Sequence, residues 1–371
     1  MSDLQTILDE SVTAGVAPHL AGGIASADGT LWLGQSGIDG EPIYRIYSMT
    51  KLVGSIGAVI LSERGRLDYD QPVAELLPRF ARLPVLEGFA GDQPVLVPQK
   101  RTATIADLAR HTSGLAYGSW HADLDRYFAA TGAPQPFECS RAGFEPPLVF
   151  QPGTAWAYGL GIDWLGMAIE AIDGRALPQF FAEEVFEPLG LRDTTFALSA
   201  DQEARLAPGY LRGRDGAFKP RDIRPPSAPE VWSMGLALYS TPSDFLRLVQ
   251  VLLSRGAPLL TAESCARMLS NAIGALRVPR MDPATFGSEP IDLYPGLEKT
   301  HSLAAMRLEE DHPGGRRAGT AFWAGIQNTH WWADPTAGLG GVFMTQTLPF
   351  AEAPILAAMD RFEKAAYARF S

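Results

Sequence analysis

Ser48-Met49-Thr50-Lys51 places a hydroxyl and an amine three positions apart, where a short extended run at 44–47 gives way to a helix-patterned segment at 52–64. On a helix, side chains at that spacing share a face with Cβ atoms roughly 5–6 Å apart, so the lysine reaches the serine without help from the rest of the fold. The hydroxyl also falls at a helix N-terminus, where free backbone N–H groups and the helix dipole favour developing negative charge. A serine nucleophile beside its base could split an acyl bond. In a chain of 371 residues about one Ser-x-x-Lys arises by chance, so the surrounding segments must decide whether this one is chemical.

Those segments are the elements that hold the pair. Residues 1–12 carry Leu4, Ile7 and Leu8 at helical spacing, with Asp3, Asp9 and Glu10 and no basic stretch, a helix rather than a secretory signal. Two short strands, 20–26 and 30–33, flank Asp28-Gly29, a hairpin signal. The Ser48 helix runs apolar through Val53, Ile56, Val59 and Ile60 and stops near Gly65, with a turn at 67–72. From 73 to about 189 strand patterns largely vanish: helical segments at 105–110 and 162–172 sit among loops rich in Pro, Gly and aromatics. Beyond them come a strongly amphipathic helix at 242–253, strands at 321–325, 328–333 and 339–347, and a last helix marked by Ile355, Met359, Phe362 and Ala366. Strands at both ends and helices between imply an α+β fold. Residues 1–65 and 190–371 form a domain with the nucleophile helix and central sheet, and 66–189 a mostly helical second one carrying Tyr158, with a cleft between.

Composition narrows the chemistry. With 46% hydrophobic and 20% charged residues and a formal charge of −11, the chain is an ordinary globular protein. The acidic balance argues against a nucleic-acid backbone or an anionic membrane as partner, because both need clustered Lys and Arg. No long apolar run suggests a membrane span, and a cytoplasmic protein with a small-molecule substrate fits best. Cys139 and Cys265 are expected to be free and buried. The six histidines lack metal-ligand spacing, so no metal is expected. No Gly-x-Gly-x-x-Gly opens a helix after a strand and no serine has glycine at both −2 and +2, so neither a dinucleotide cofactor nor an α/β-hydrolase elbow is expected.

Three further segments accompany the Ser-x-x-Lys. They are Ile105-Ala106-Asp107-Leu108-Ala109-Arg110-His111-Thr112-Ser113-Gly114-Leu115, then Gln151-Pro152-Gly153-Thr154-Ala155-Trp156-Ala157-Tyr158-Gly159-Leu160-Gly161, and Phe322-Trp323-Ala324-Gly325 with the strands that follow. In this order and spacing the chain resembles, over about residues 20–350, the serine β-lactamase-like family: penicillin-binding proteins, class C β-lactamases and family VIII carboxylesterases, the last being nearest. The resemblance implies a β-lactamase/transpeptidase-like fold, an antiparallel sheet flanked by helices, with a helical insertion. It implies Ser48 as nucleophile, Lys51 as its lysine and Tyr158 as the tyrosine of Tyr-x-Asn, with backbone N–H groups of Ser48 and Ile326 as oxyanion hole. Which of Lys51 and Tyr158 is the base stays open.

The departures carry information too. Trp323-Ala324-Gly325 stands where lactamases have Lys-Thr-Gly, so the cation that binds a substrate carboxylate is replaced by an indole suited to neutral or aromatic acyl groups. Leu160 stands where the motif has asparagine. Both losses point from amides bearing carboxylates to neutral esters. Trp323, Gly325, Leu160, Trp120, Tyr117 and Trp232 are candidate pocket residues, and Trp156, another loop aromatic near the motifs, could line the same pocket. His111 is expected to be a packed, hydrogen-bonded histidine, and His312-Pro313-Gly314 a loop. The expected activity is a serine carboxylesterase for short-chain or aromatic esters, working through an acyl-serine. The alternatives are a lactamase-like amidase or acyltransferase with weak β-lactam hydrolysis, and a non-catalytic β-lactam-binding sensor domain.

Overall fold

The computed structural model describes residues 3–371. Helix α1 (Leu4–Thr13) begins where the Asp3 side chain accepts from the Leu4 N–H; positions 1 and 2 of the expected N-terminal helix lie outside the described residues. A seven-stranded antiparallel sheet follows from both chain ends. It comprises β1 (Leu20–Ser26), β2 (Gly29–Ser36), β3 (Lys299–His301), β4 (Met306–Leu308), β5 (Ala321–Gly325), β6 (Thr329–Asp334) and β7 (Leu339–Met344), in the order β2-β1-β7-β6-β5-β4-β3. β1 pairs with β7 through Ala21 opposite Met344 and Ala25 opposite Gly340, so the N-terminal hairpin is locked between its own turn and the C-terminal meander.

Both faces of this sheet are covered, and the strands record it. In β6 every residue is buried, including the successive Trp331 and Trp332, which point to opposite faces. In β1, a Cβ on Gly22 would lie 2.6 Å from Phe362, whereas one on Gly23 would lie 2.6 Å from Leu246. The two glycines therefore let helices α5 (Ala353–Phe370) and α4 (Pro242–Leu253) close onto opposite faces. Helix α2 (Thr50–Glu63) is buried on all sides from Thr50 to Leu61, as an apolar helix inside a core must be. Gly54 admits Ile162 of helix α3 (Gly161–Asp173) to close contact. None of the described helices is long and apolar enough to cross a membrane, and Cys139 and Cys265 are free and buried.

Three expectations need revision. The stretch 73–189 contains a β-hairpin, Val85–Ala90 with Gln93–Val97; its bulge at Gly88 and its exposed Val95 and Leu96 hide the alternation that marks a half-buried strand. β3 and β4 were not foreseen, since three residues carry too little pattern. The strand expected at 339–347 ends at Met344. There the Gln346 amide turns aside to bond the backbone N–H and C=O of Arg45 at 3.0 and 3.1 Å, tying the sheet to the segment that leads into Ser48. His312-Pro313-Gly314 lies in a loop, as expected.

Candidate active site

The run expected to be extended at 44–47 shortens to Tyr44–Arg45, and a 3-10 turn, Tyr47–Met49, carries Ser48 into α2. Tyr47 has a positive φ of 42°, a conformation that costs a non-glycine residue about 1–3 kcal/mol. Its hydroxyl donates to the Ile223 carbonyl at 2.8 Å, which helps hold it there. Strand β5 comes hard against the same turn: a Cβ at Gly325 would lie 2.3 Å from the Ile46 carbonyl oxygen. Only glycine permits that approach. Gly325 was expected to touch substrate; it is instead the contact that brings Ile326 beside Ser48, the two bordering a common cleft.

Lys51 is buried in the first turn of α2. Its Nζ lies 3.2 Å from Ser48 Oγ, 3.1 Å from Tyr117 Oη and 2.9 Å from the Gly235 carbonyl. It also sits over two ring faces, 4.8 Å from the Tyr158 centroid and 5.1 Å from that of Tyr117. All its contacts are neutral. Tyr117, expected as a wall of the pocket, does line the cleft, but its hydroxyl belongs to the lysine. Burial pushes that phenol well above its ordinary pKa, and the carboxylate of Asp163 pushes it further.

Tyr158 hangs from the loop that precedes α3. Its hydroxyl accepts the indole N–H of Trp323 at 3.2 Å, and the rings pack with centroids 4.7 Å apart. Trp323 therefore does more than line a pocket: its one donor orients Tyr158. Behind Tyr158 stands His111, ring centroids 5.2 Å apart, which in turn meets His301 at 5.0 Å. His111 is packed as expected, and its Nδ1 is buried without a hydrogen-bond partner. Burial holds His111 well below the usual imidazole range and brings His301 down to about 4, with the Lys51 charge adding to both.

Two expected pocket residues lie elsewhere. Leu160 is fully buried in the core at the start of α3, where an apolar side chain belongs. Trp232 packs edge-on against Phe196, 5.6 Å away. Trp120 does line the site, and it borders both of its compartments. One compartment is an open cleft of about 260 Å³, mostly apolar, rimmed by Phe137 and Phe286. The other is a slot of about 20 Å³ between Tyr158, Trp323, Ile291, Leu293 and Phe350.

Sequence reading passed over three site residues. Gly235 supplies the carbonyl that holds Lys51; a backbone acceptor leaves no side-chain signal. Gln327 borders the open cleft with both amide atoms buried and unpaired. Asp163 is fully buried, accepting from the Gly235 N–H at 2.9 Å and from the Ser233 hydroxyl. Its signal was available: a lone carboxylate in the otherwise apolar Gly161-Ile162-Asp163-Trp164-Leu165.

Comparison with known proteins agrees with this arrangement. The family profile described as Beta-lactamase matches residues 11–366. Monacolin J acid methylbutanoyltransferase of Aspergillus terreus is 32% identical over 347 residues, covering 88% of this chain and 82% of that one. Lovastatin esterase of Penicillium rubens is 27% identical over 365 residues, covering 89% and 86%. The structure of simvastatin synthase from Aspergillus terreus superposes over the whole of both chains with a TM-score of 0.87 at 27% identity. With a match that spans the sheet, α2 and the Tyr158 loop, the chain belongs to the beta-lactamase family, and through it to a superfamily of hydrolases and acyltransferases.

Proposed function

We propose that this protein is a serine carboxylesterase that cleaves neutral esters through an acyl-serine. The observation that carries the reading is Lys51 Nζ at 3.2 Å from Ser48 Oγ, buried among neutral acceptors and ring faces. A lysine desolvated without a contacting carboxylate is suited to take a proton. As Ser48 Oγ bonds the ester carbonyl carbon, its proton passes to Lys51 in its neutral amine form. The oxyanion is received by the N–H groups of Ser48 and Ile326, a contribution of a few kcal/mol in such sites. Collapse breaks the C–O bond to the alcohol, which leaves with a proton relayed by Tyr158; water, giving up a proton to the same relay, then attacks the acyl carbon, the acyl–Oγ bond breaks, Ser48 regains a proton and the acid leaves.

Trp323 supports neutral substrates, because position 323 offers an indole in place of a cation. The unequal compartments support an ester with one small and one bulky half. The mostly apolar open cleft also supports a second outcome, transfer of the acyl group to an alcohol in place of water, the reaction named for the Aspergillus relative.

Ser48→Ala should abolish hydrolysis of a p-nitrophenyl ester, and retained turnover would sink the proposal. Adding a neutral alcohol to the wild-type assay measures partition: new ester formed at the expense of free acid is the expected sign of transfer.

A further inference from the structure

A buried carboxylate stands one residue behind the lysine. Asp163 Oδ1 accepts the Gly235 N–H at 2.9 Å, and the carbonyl of the same residue takes Lys51 Nζ at 2.9 Å. Ser233 completes the clamp, donating its hydroxyl to Asp163 while accepting the Gly235 N–H at 3.1 Å. The other oxygen, Oδ2, has no hydrogen-bond partner. It lies across the Gly235 Cα from Tyr117: a Cβ at 235 would be 2.5 Å from Asp163 Oδ2 and 2.8 Å from Tyr117 Oη. Glycine at 235 therefore leaves the carboxylate facing the phenol with nothing between them. Two tyrosines flank Lys51, and Tyr117 is the one that meets Asp163 across Gly235.

We propose that Asp163 is a positioning residue for the Ser48 chemistry: through Gly235 it fixes the acceptor that aims Lys51, while the Tyr117 hydroxyl stays committed to Lys51, leaving Tyr158 to carry the proton. This rests on the reading of Ser48 as an acylated nucleophile. Burial raises Tyr117, with Asp163 adding to it, and burial raises Asp163 as well, opposed by Lys51 and by its bonds from Ser233 and Gly235. The groups facing the pair are Lys51 of α2, Tyr117, Tyr158, Cys139 and, behind Lys51, His111 and His301.

The test is ester turnover by Asp163→Asn, which keeps the shape and an acceptor for the Gly235 N–H but removes the charge. The expected result is kcat down about 10- to 100-fold with KM little changed, the size of effect that misaimed catalytic groups give. Tyr117→Phe should cost about tenfold or less and Tyr158→Phe about 10³-fold. Wild-type kcat in Asp163→Asn, or equal losses in the two tyrosine variants, would overturn the inference. Should Asp163→Asn fail to fold, Ser233→Ala serves: a drop of about three- to tenfold in kcat at unchanged KM supports the clamp, and wild-type kcat overturns it. Full turnover by Ser48→Ala in the same assay overturns both readings; its loss beside an unaffected Asp163→Asn overturns this one alone.

Discussion

Of the cations buried in this molecule, Arg316 and Lys51 are kept in opposite ways. Arg316, beneath α5, meets Glu363 through Nε and Nη2, each at 3.0 Å, and Tyr294 adds its hydroxyl to the same carboxylate at 2.8 Å. Rings of Tyr294, Trp332 and Phe322 close over the guanidinium at 4.7, 4.9 and 5.1 Å. Lys51 has the same aromatic company but touches only a serine, a phenol and a carbonyl, its carboxylate set back behind Gly235. A contacting carboxylate pins a charge in place; a recessed one leaves the amine with only neutral partners, as the proposed mechanism requires. Burial of a cation is common to both sites, and the distance of the counter-charge separates the structural clamp from the reactive centre.

The comparison breaks most sharply if activity and stability do not divide between the sites. Lys51→Ala should lower kcat/KM by about 10⁴-fold with little change in the denaturant midpoint, measured by ester turnover and urea unfolding. Glu363→Gln should do the reverse. Leaving Arg316 buried and unpaired should cost about 3–5 kcal/mol of stability, while the folded fraction keeps its kcat. Equal effects of both variants on activity would remove the distinction.

Each cation also depresses a histidine, and this gives a third measure. His301 is brought to about 4, mainly by burial, with Lys51 adding to it, and His330 to about 3, with Arg316 adding to it. These folded-state values lie below the unfolded one near 6.5, so the unfolded chain binds more protons. Stability is then full above pH 6.5 and falls as pH drops toward 4 and 3, by about 3 kcal/mol for His301. His301→Asn should flatten that acid slope in a series of unfolding curves. The smallest effect is expected at Gln327, whose amide atoms are buried without partners. Gln327→Leu should raise stability by about 1 kcal/mol, and destabilisation would mean that its amide is satisfied in solution.

What could be read beforehand was local. The helix at 242–253 and the strand at 321–325 match their observed bounds, because twelve residues of amphipathic spacing and five of a buried apolar run are strong patterns. The hairpin at Val85–Ala90 was missed for the converse reason, its exposed apolar residues breaking the alternation. Within the site, Leu160 and Trp232 were misplaced because residue type says what a side chain could line, not which way the backbone turns it.

The sequence by itself determined the Ser48–Lys51 pair, since a separation of three on one helical turn needs no other part of the chain. It determined as well the absence of a cation at 323. Only the tertiary structure decided what surrounds the lysine. Tyr117 and Gly235 reach it from 66 and 184 residues away, and Trp323 reaches Tyr158 from 165. Those contacts depend on how the sheet, α2 and the loops close on one another, and no local periodicity encodes them.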